Sequence, residues 1–233
     1  MKPTKNTAEH APARTGIGRR ALEKRATILD AAEAIFVERG YHGTSLRDVS
    51  SAARVTLALV SYHFGSKEGL FRAVIERRAP INAAGLRHSL QSALALKTRK
   101  SKLEAILLAF IAPVVDRSMR GGTGWKNYIR LMAQIANLSQ RETFVSAVPE
   151  HYEGIVRAFI HSIKSLYPRM NDADLQWSFY FYQAAITHIL AESGVIDRQT
   201  DGAYHSSDLD AIVPKLVRFC AAGFRAFAKP AVR

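Results

Sequence analysis

Cysteine, acidic charge and long apolar runs are what this chain of 233 residues has least of. Its single cysteine, Cys220, leaves no partner for an internal disulfide and no set of thiolates for zinc. The setting RFCAAGF reads as a small apolar core position rather than a reactive thiol. No apolar run approaches the about 18 residues that suggest a membrane span. The N-terminus carries charge but lacks the apolar segment of a secretory signal. A cytoplasmic protein with no membrane partner is expected. There is no cluster of His, Cys and Glu at metal-ligand spacing and no GxSxG turn. Gly121-Gly122-Thr123-Gly124 lacks the Lys-Ser/Thr pair of a phosphate loop, and histidines 151, 161, 188 and 205 form no recognisable pair. The expectation is a protein that is not an enzyme, with no catalytic residue, no metal and no cofactor.

What is present begins with positive charge. Lys and Arg number 33 against 20 Asp and Glu, a net +13. Residues 1–27 hold seven Lys or Arg against two Glu, a surplus of five charges in a short stretch. Residues 1–18 are rich in Lys, Pro, Thr, Ala and Gly without periodicity, and are expected to be a basic arm that orders only on DNA. Such an arm suits phosphate neutralisation. The same charge also suits an anionic membrane surface, but its place beside the next feature favours nucleic acid.

That feature is residues 44–64, TSLRDVSSAARVTLALVSYHF. The pattern predicts a helix from about Ser45 to Ala53, with Thr44 or Ser45 as N-cap and Asp48 in the first turn, where a negative charge is favourable. Leu46, Val49 and Ala53 share one face. Arg54-Val55 make the turn, Thr56 caps a second helix, and Val60 and Phe64 continue the apolar face. Leu57, Ala58, Ser61 and Tyr62 are left pointing outward. A helix-turn-helix presents its second helix to a major groove in this way. Two short amphipathic helices joined by a few residues also occur in many helical proteins, so periodicity alone does not decide the matter.

The run from Arg25 to about Leu70 resembles the DNA-binding domain of TetR-type transcriptional regulators, the matching pieces being ATILDAAEAIFVERGYHGTSLRDVSSAA and SYHFGSKEGLF. The resemblance covers about the first third of the chain. It implies an all-α fold: an N-terminal three-helix helix-turn-helix DNA-binding domain, a linking helix, and a C-terminal helical ligand-binding and dimerisation domain. The boundaries read as a 1–18 arm, a 19–66 DNA-binding domain and a 67–233 ligand-binding and dimerisation domain. The family usually has Gly where this chain has Arg54; a side chain in a left-handed turn costs about 1 kcal/mol. Family positions that hold the DNA backbone fall on Thr44, Tyr62, His63 and Lys67. His63 reads equally as a packing residue beside Phe64. Ser45, Arg47, Arg54 and Thr56 complete the expected DNA-binding set with Leu57, Ala58 and Ser61. None of the residues from Val55 to Phe64 is Arg, Lys, Asn or Gln, the usual base-edge readers. Specificity is therefore expected from methyl contacts, DNA shape and dimer spacing.

Helix 1 is expected from Arg20 to Arg39, burying Leu22, Leu29, Ala32, Ile35 and Phe36. Gly65 closes the second helix of the motif and Ser66 caps a fourth that ends or kinks at Pro80. Ile81 to Leu96 follows as a separate amphipathic stretch, and KTRKSK at 97–102 as a solvated loop. Further helices are expected at Leu103–Met119, Trp125–Leu138, Phe144–Leu166, Asp172 to about Ser193, and Leu209–Ala228, with a polar loop at 195–207. Leu175, Phe179, Tyr182, Ile186 and Ile189-Leu190 make one apolar band; Ile212, Leu216, Phe219, Gly223 and Phe227 make another. Both could pack within one subunit. The resemblance implies instead a homodimer through the last two helices. Candidate ligand-binding residues are Trp125, Tyr128, Arg130, Gln134, Trp177, Tyr180, Phe181 and His188, with Arg130 and Gln134 as polar anchors. The segment GWKNYIRLMAQ resembles TetR-type regulators of fatty-acid and acyl-CoA metabolism. The expected function is a ligand-responsive regulator of transcription, a repressor released from double-stranded palindromic DNA by a small apolar ligand such as a fatty acid or acyl-CoA. The rival reading is a DNA-binding or membrane-surface protein with no small-molecule effector.

Overall fold

A computed structural model describes residues 16–98, 101–138, 144–145 and 149–228. The expected basic arm at 1–18 lies almost wholly outside these residues. The described chain is helical: α1 (Gly16–Arg39), α2 (Leu46–Ala52), α3 (Leu57–Phe64), α4 (Lys67–Leu94), α5 (Lys102–Arg120), α6 (Thr123–Ala136), α7 (Pro149–Leu166), α8 (Asp172–Leu190), α9 (Val195–Gln199) and α10 (Leu209–Phe227). No strand occurs among the described residues.

α1, α2 and α3 pack around Ile28, Leu29, Ala32, Phe36, Val49 and Val60, all at most 2% exposed. α4 closes this small core with Leu70, Phe71 and Val74, and then continues into the second region. A seven-residue and an eight-residue helix do not stand alone in water. Their caps and this shared core hold them. Ser45 accepts from the Asp48 N–H while the Asp48 carboxylate accepts from the Ser45 N–H at 2.8 Å, a reciprocal capping box. Thr56 caps α3 through the Leu59 N–H at 3.2 Å.

Several expectations are corrected. Leu22 is 60% exposed, because α1 begins at Gly16 and its first turns lie beyond the reach of α2 and α4. Pro80 neither ends nor kinks the chain into two helices: α4 runs from Lys67 to Leu94 through it. Pro80 is exposed, so the Glu76 carbonyl that loses its helical donor lies on the wet side of the helix, where water can serve it. Pro214 lies inside α10 in the same way. α7 begins at Pro149 rather than Phe144, with proline in the first helical position where its missing N–H costs nothing. The 195–207 loop contains the short helix α9.

α5 is the central strut, lying against α4, α6, α7 and α10. α1 packs on α6 as well as on α4, so the two regions share a continuous junction. In the α8 band Leu175, Phe179, Tyr182, Ile186 and Leu190 are buried inside the subunit, each at most 5% exposed, and Ile189 is half-buried; Leu216 on α10 is buried too, at 7%. Tyr182 spends its hydroxyl on the Leu107 carbonyl of α5 at 2.5 Å. These residues cannot form a surface. The opposite side of the same two helices does: Trp177, Tyr180, Phe181, Phe219 and Phe227 are 48–79% exposed.

Candidate functional site

The turn between α2 and α3 has the hydrogen bonds of a Schellman motif. The Val55 N–H donates to the Ser50 carbonyl at 3.0 Å and the Arg54 N–H to the Ser51 carbonyl at 3.1 Å. The motif requires a left-handed residue at Arg54, and Arg54 has φ 53°. Its side chain is exposed beside the start of α3. Val55, half-buried, packs its side chain onto the core and fixes the angle between the helices.

α3 buries Val60 and tucks Phe64 under the Arg25 guanidinium, 5.3 Å from the ring centre. Its outer face carries Leu57 (38% exposed), Ala58, Ser61 and Tyr62 (83% exposed). Arg47 is also exposed. Ser45 and Thr56 are exposed but use their oxygens as caps. Three of the expected contacts are tied into the fold. Thr44 is 3% exposed and donates its hydroxyl to the Gly40 carbonyl at 2.7 Å. Lys67 donates to the Tyr41 carbonyl at 3.0 Å and lies over the Tyr41 ring at 4.4 Å. His63 is half-buried between Tyr62 and Phe64. These residues set the position of α3, whereas Arg47, Arg54, Leu57, Ala58, Ser61 and Tyr62 are open to a groove.

A cavity of about 210 Å³ opens between α4, α5, α6, α7 and α8. Leu86, Phe110, Val114, Met132, Ile186 and Leu190 make most of its wall; Asn82, Tyr152, Gln183 and Thr187 are its polar groups. None of the eight expected ligand residues lines it. Tyr128 is fully buried behind it, with its hydroxyl 2.8 Å from that of Tyr152. Trp125 lies further back, with the Arg78 and Arg117 guanidinium carbons each 5.0 Å from its ring centre. Gln134 points the other way and donates to the Val37 carbonyl of α1 at 3.1 Å. Arg130 carries a buried Nε with no partner. Trp177, Tyr180 and Phe181 are on the outer face of α8, and His188 borders a separate depression with Val195 and Ile212. An aromatic residue on a helix is as readily core or surface as pocket, and the sequence separates these cases only through the phase of each helix. Asn82, a polar residue in the apolar stripe of α4, is the sequence signal for this cavity wall.

Burial raises the pKa of both phenols, Tyr128 and Tyr152, so the pair stays protonated. Behind them runs a polar path to α1. Asn82 Nδ2 donates to the Tyr152 oxygen at 2.9 Å, and Arg117 Nη1 donates to Asn82 Oδ1 at 3.0 Å. Arg78 Nε donates to Glu33 Oε2 of α1 at 3.0 Å. Glu33 is 1% exposed, and burial raises its pKa against the opposing pull of Arg78. No group of three or more potential metal ligands occurs among the described residues, and no described helix is long and apolar enough to cross a membrane.

Comparison with known proteins places these two regions together in one class. The model of bacterial regulatory proteins of the tetR family matches residues 28–74, and the tetracyclin repressor-like C-terminal domain matches 108–223. The chain belongs to the TetR family. Within it, residues of the chain are 32% identical over 88 positions to the HTH-type transcriptional activator FasR of Mycolicibacterium smegmatis, covering 38% of this chain and 39% of that one. They are 44% identical over 54 positions to the HTH-type transcriptional repressor Rv3405c of Mycobacterium tuberculosis, covering 23% and 29%. The chain thus spans well under half the length of these relatives. The fold is similar, at 15% identity and a TM-score of 0.57, to that of the fatty acid degradation regulator FadR of Bacillus halodurans, over 87% of this chain and 96% of that one. These relatives are transcription regulators, not enzymes.

Proposed function

We propose that the protein is a homodimeric transcriptional regulator that binds palindromic double-stranded DNA through α3 and leaves it when a small apolar ligand enters the α4–α8 cavity. The observation that carries the reading is α3 itself, buried on Val60 and open along Leu57, Ala58, Ser61 and Tyr62, in a chain that matches both TetR domains. The DNA-facing set is Arg47, Arg54, Leu57, Ala58, Ser61 and Tyr62, with Thr44, Ser45, Thr56, His63 and Lys67 as the scaffold that aims them. One eight-residue helix reads too few bases for a genomic address, so two copies are required. The exposed aromatic side of α8 and α10 supplies a surface for pairing them. A domain division near residue 66 is supported by the small core of α1–α3, although α4 belongs to both regions.

The ligand class proposed is an acyl compound, a fatty acid or its acyl-CoA ester. A wall of Leu, Ile, Val, Phe and Met suits an acyl chain. The cavity is smaller than the about 300–1,000 Å³ of sites for drug-sized molecules, which favours a short or medium chain. The relatives FasR and Rv3405c are named as an activator and a repressor; release from DNA is the sign proposed. Selection of bound duplexes from a random library, followed by titration at several salt concentrations, tests the DNA reading. The expected result is a two-fold symmetric site and a steep fall of log K with log[salt], by about 0.9 per phosphate contact. A flat plot with no enriched sequence overturns it.

A further inference from the structure

We infer that the α4–α8 cavity recognises a ligand by a hydrogen-bond acceptor oxygen seated on Tyr152 and Asn82, and that the Arg117–Trp125–Arg78–Glu33 path carries its arrival to α1. The inference rests on the ligand-responsive reading above and names the chemistry of that site.

Counting hydrogens gives the first half. Tyr128 and Tyr152 each bring one O–H, and their oxygens lie 2.8 Å apart. Only one of the two hydrogens can lie between them. Among the described residues Tyr128 has no other hydrogen-bond partner, and Tyr152 has besides it only the Asn82 amide, which donates to it. One phenolic hydrogen is therefore left without an acceptor in the protein. Tyr128 is fully buried and Tyr152 lines the cavity. A donor left unmet in a closed interior is costly, while one facing an open cavity can be met by water that a ligand oxygen displaces. The spare hydrogen belongs on Tyr152, directed into the cavity.

Charge points the same way. Arg117 forms no ion pair with any described carboxylate; its hydrogen bonds go to Asn82 Oδ1 and the carbonyls of Ile81 and Pro113. Its positive charge lies one side chain behind the cavity wall and favours an oxygen carrying negative charge, partial or full. Two ligand types share that chemistry, a neutral carbonyl and a carboxylate.

The second half rests on Trp125. Its ring is shared by Arg117, which holds Asn82, and by Arg78, which holds Glu33 of α1. Both guanidiniums occupy space that exists only because two residues lack side chains. A Cβ at Gly85 would collide with Arg117, and a Cβ at Gly124 would collide with Arg78. A ligand oxygen that accepts from Tyr152 and Asn82 Nδ2 pulls on the amide whose Oδ1 holds Arg117, and the indole connects that shift to the only buried carboxylate on α1 among the described residues.

The test uses the full chain with Trp177→Phe, which leaves Trp125 as the sole indole. Its emission is followed during titration with octanoate, octanamide and 1-chlorooctane, three chains of like length of which the last has no good acceptor. At least one oxygen ligand is expected to bind at least 10-fold more tightly than 1-chlorooctane and to shift the Trp125 emission. Octanoate ahead of octanamide assigns the carboxylate, and the reverse assigns the neutral carbonyl. Tyr152→Phe should erase the preference over 1-chlorooctane. Equal binding of all three, or binding by neither oxygen ligand, overturns the inference. Gly124→Ala, a change that α6 tolerates as a helix, should keep the ligand affinity within twofold but abolish release from a selected DNA duplex. Release as in the unsubstituted chain would remove the Trp125 path. Failure to select any duplex would count against DNA binding alone, because the fluorescence titration still decides the ligand.

Discussion

α3 and α8 both leave apolar side chains in solvent, and the two sets differ in kind. α3 shows Leu57, Ala58, Ser61 and Tyr62, small or mixed in polarity, on a helix of eight residues. α8 shows Trp177, Tyr180 and Phe181, and α10 beside it adds Phe219 and Phe227. A groove of base edges and phosphates accepts a methyl here and a hydroxyl there. It has no use for a continuous aromatic field. A second protein surface does, since aromatic side chains bring large area at low entropic cost. The contrast supports the proposed DNA face on α3 and the proposed dimer face on α8 and α10.

The sharpest way to break it is a charge in the aromatic field. Phe219→Glu places two carboxylates near one another across the proposed two-fold axis, where like charges are strongly unfavourable. The dimer should weaken by at least about 100-fold, or about 2.7 kcal/mol, and DNA affinity should fall with it although α3 is untouched. Sedimentation of the purified variant checks the first and DNA titration the second. A wild-type chain that sediments as a monomer would dissolve the comparison.

The matching change on the other face is Tyr62→Ala. Tyr62 is 83% exposed, and its hydroxyl makes no hydrogen bond among the described residues. Stability should hold, dimerisation should hold, and DNA affinity should drop about 10- to 100-fold, or ~1.4–2.7 kcal/mol. If Tyr62 grips a phosphate, the salt slope should also fall by about 1. A loss of the melting temperature instead would make Tyr62 a packing residue.

The same two faces show why one half of the chain was legible and the other was not. The short-range chemistry of α2 and α3 is written in adjacent residues. Ser45 and Asp48 are three apart, Thr56 precedes its own helix, and the left-handed Arg54 follows from two carbonyls a few positions back. The open face of α3 followed from spacing alone. The cavity is assembled from five helices whose relative rotation no local pattern encodes. The phase of α8 puts Tyr182, a candidate for the dimer surface, in the core, and Trp177, a candidate for the pocket, on the outside. The Thr44 bond to the Gly40 carbonyl is local, four residues apart, whereas the Lys67 bond to the Tyr41 carbonyl appears only when the start of α4 meets the end of α1. Pro80 misled because its cost depends on which side of α4 faces water.

A smaller effect tests the turn that aims α3. Arg54→Gly removes a Cβ from a residue at φ 53°. The strain relieved is about 1 kcal/mol, offset in part by the greater freedom glycine gives the unfolded chain. A melting temperature raised by a few degrees is expected. If the exposed guanidinium also meets a phosphate, DNA affinity falls in the same variant while stability rises. A lower melting temperature would mean that the side chain, not the backbone, secures the turn.

The smallest expected effect is one of pH, and it again divides the two faces. The Asp48 carboxyl is held below its ordinary pKa of 3.8, first by the Ser45 side chain and then by the Ser45 backbone N–H. A carboxylate with a depressed folded-state pKa contributes stability that is present above the unfolded value and is lost as pH falls through the folded one. The capping box of α2 should therefore be intact at neutral pH and weaken only below 3.8. Asp197, in α9, is pulled down to about 2, mainly by the Ser206 backbone N–H. Its contribution should be lost later, as pH falls from 3.8 towards 2. Amide exchange followed through an acid titration should show α2 opening before the α9 segment. Asp48→Asn, which still accepts a hydrogen bond but carries no charge, should flatten the α2 response and leave that of α9 unchanged. Simultaneous opening of both segments would mean that acid unfolds the chain as one unit and that neither carboxylate governs its own helix.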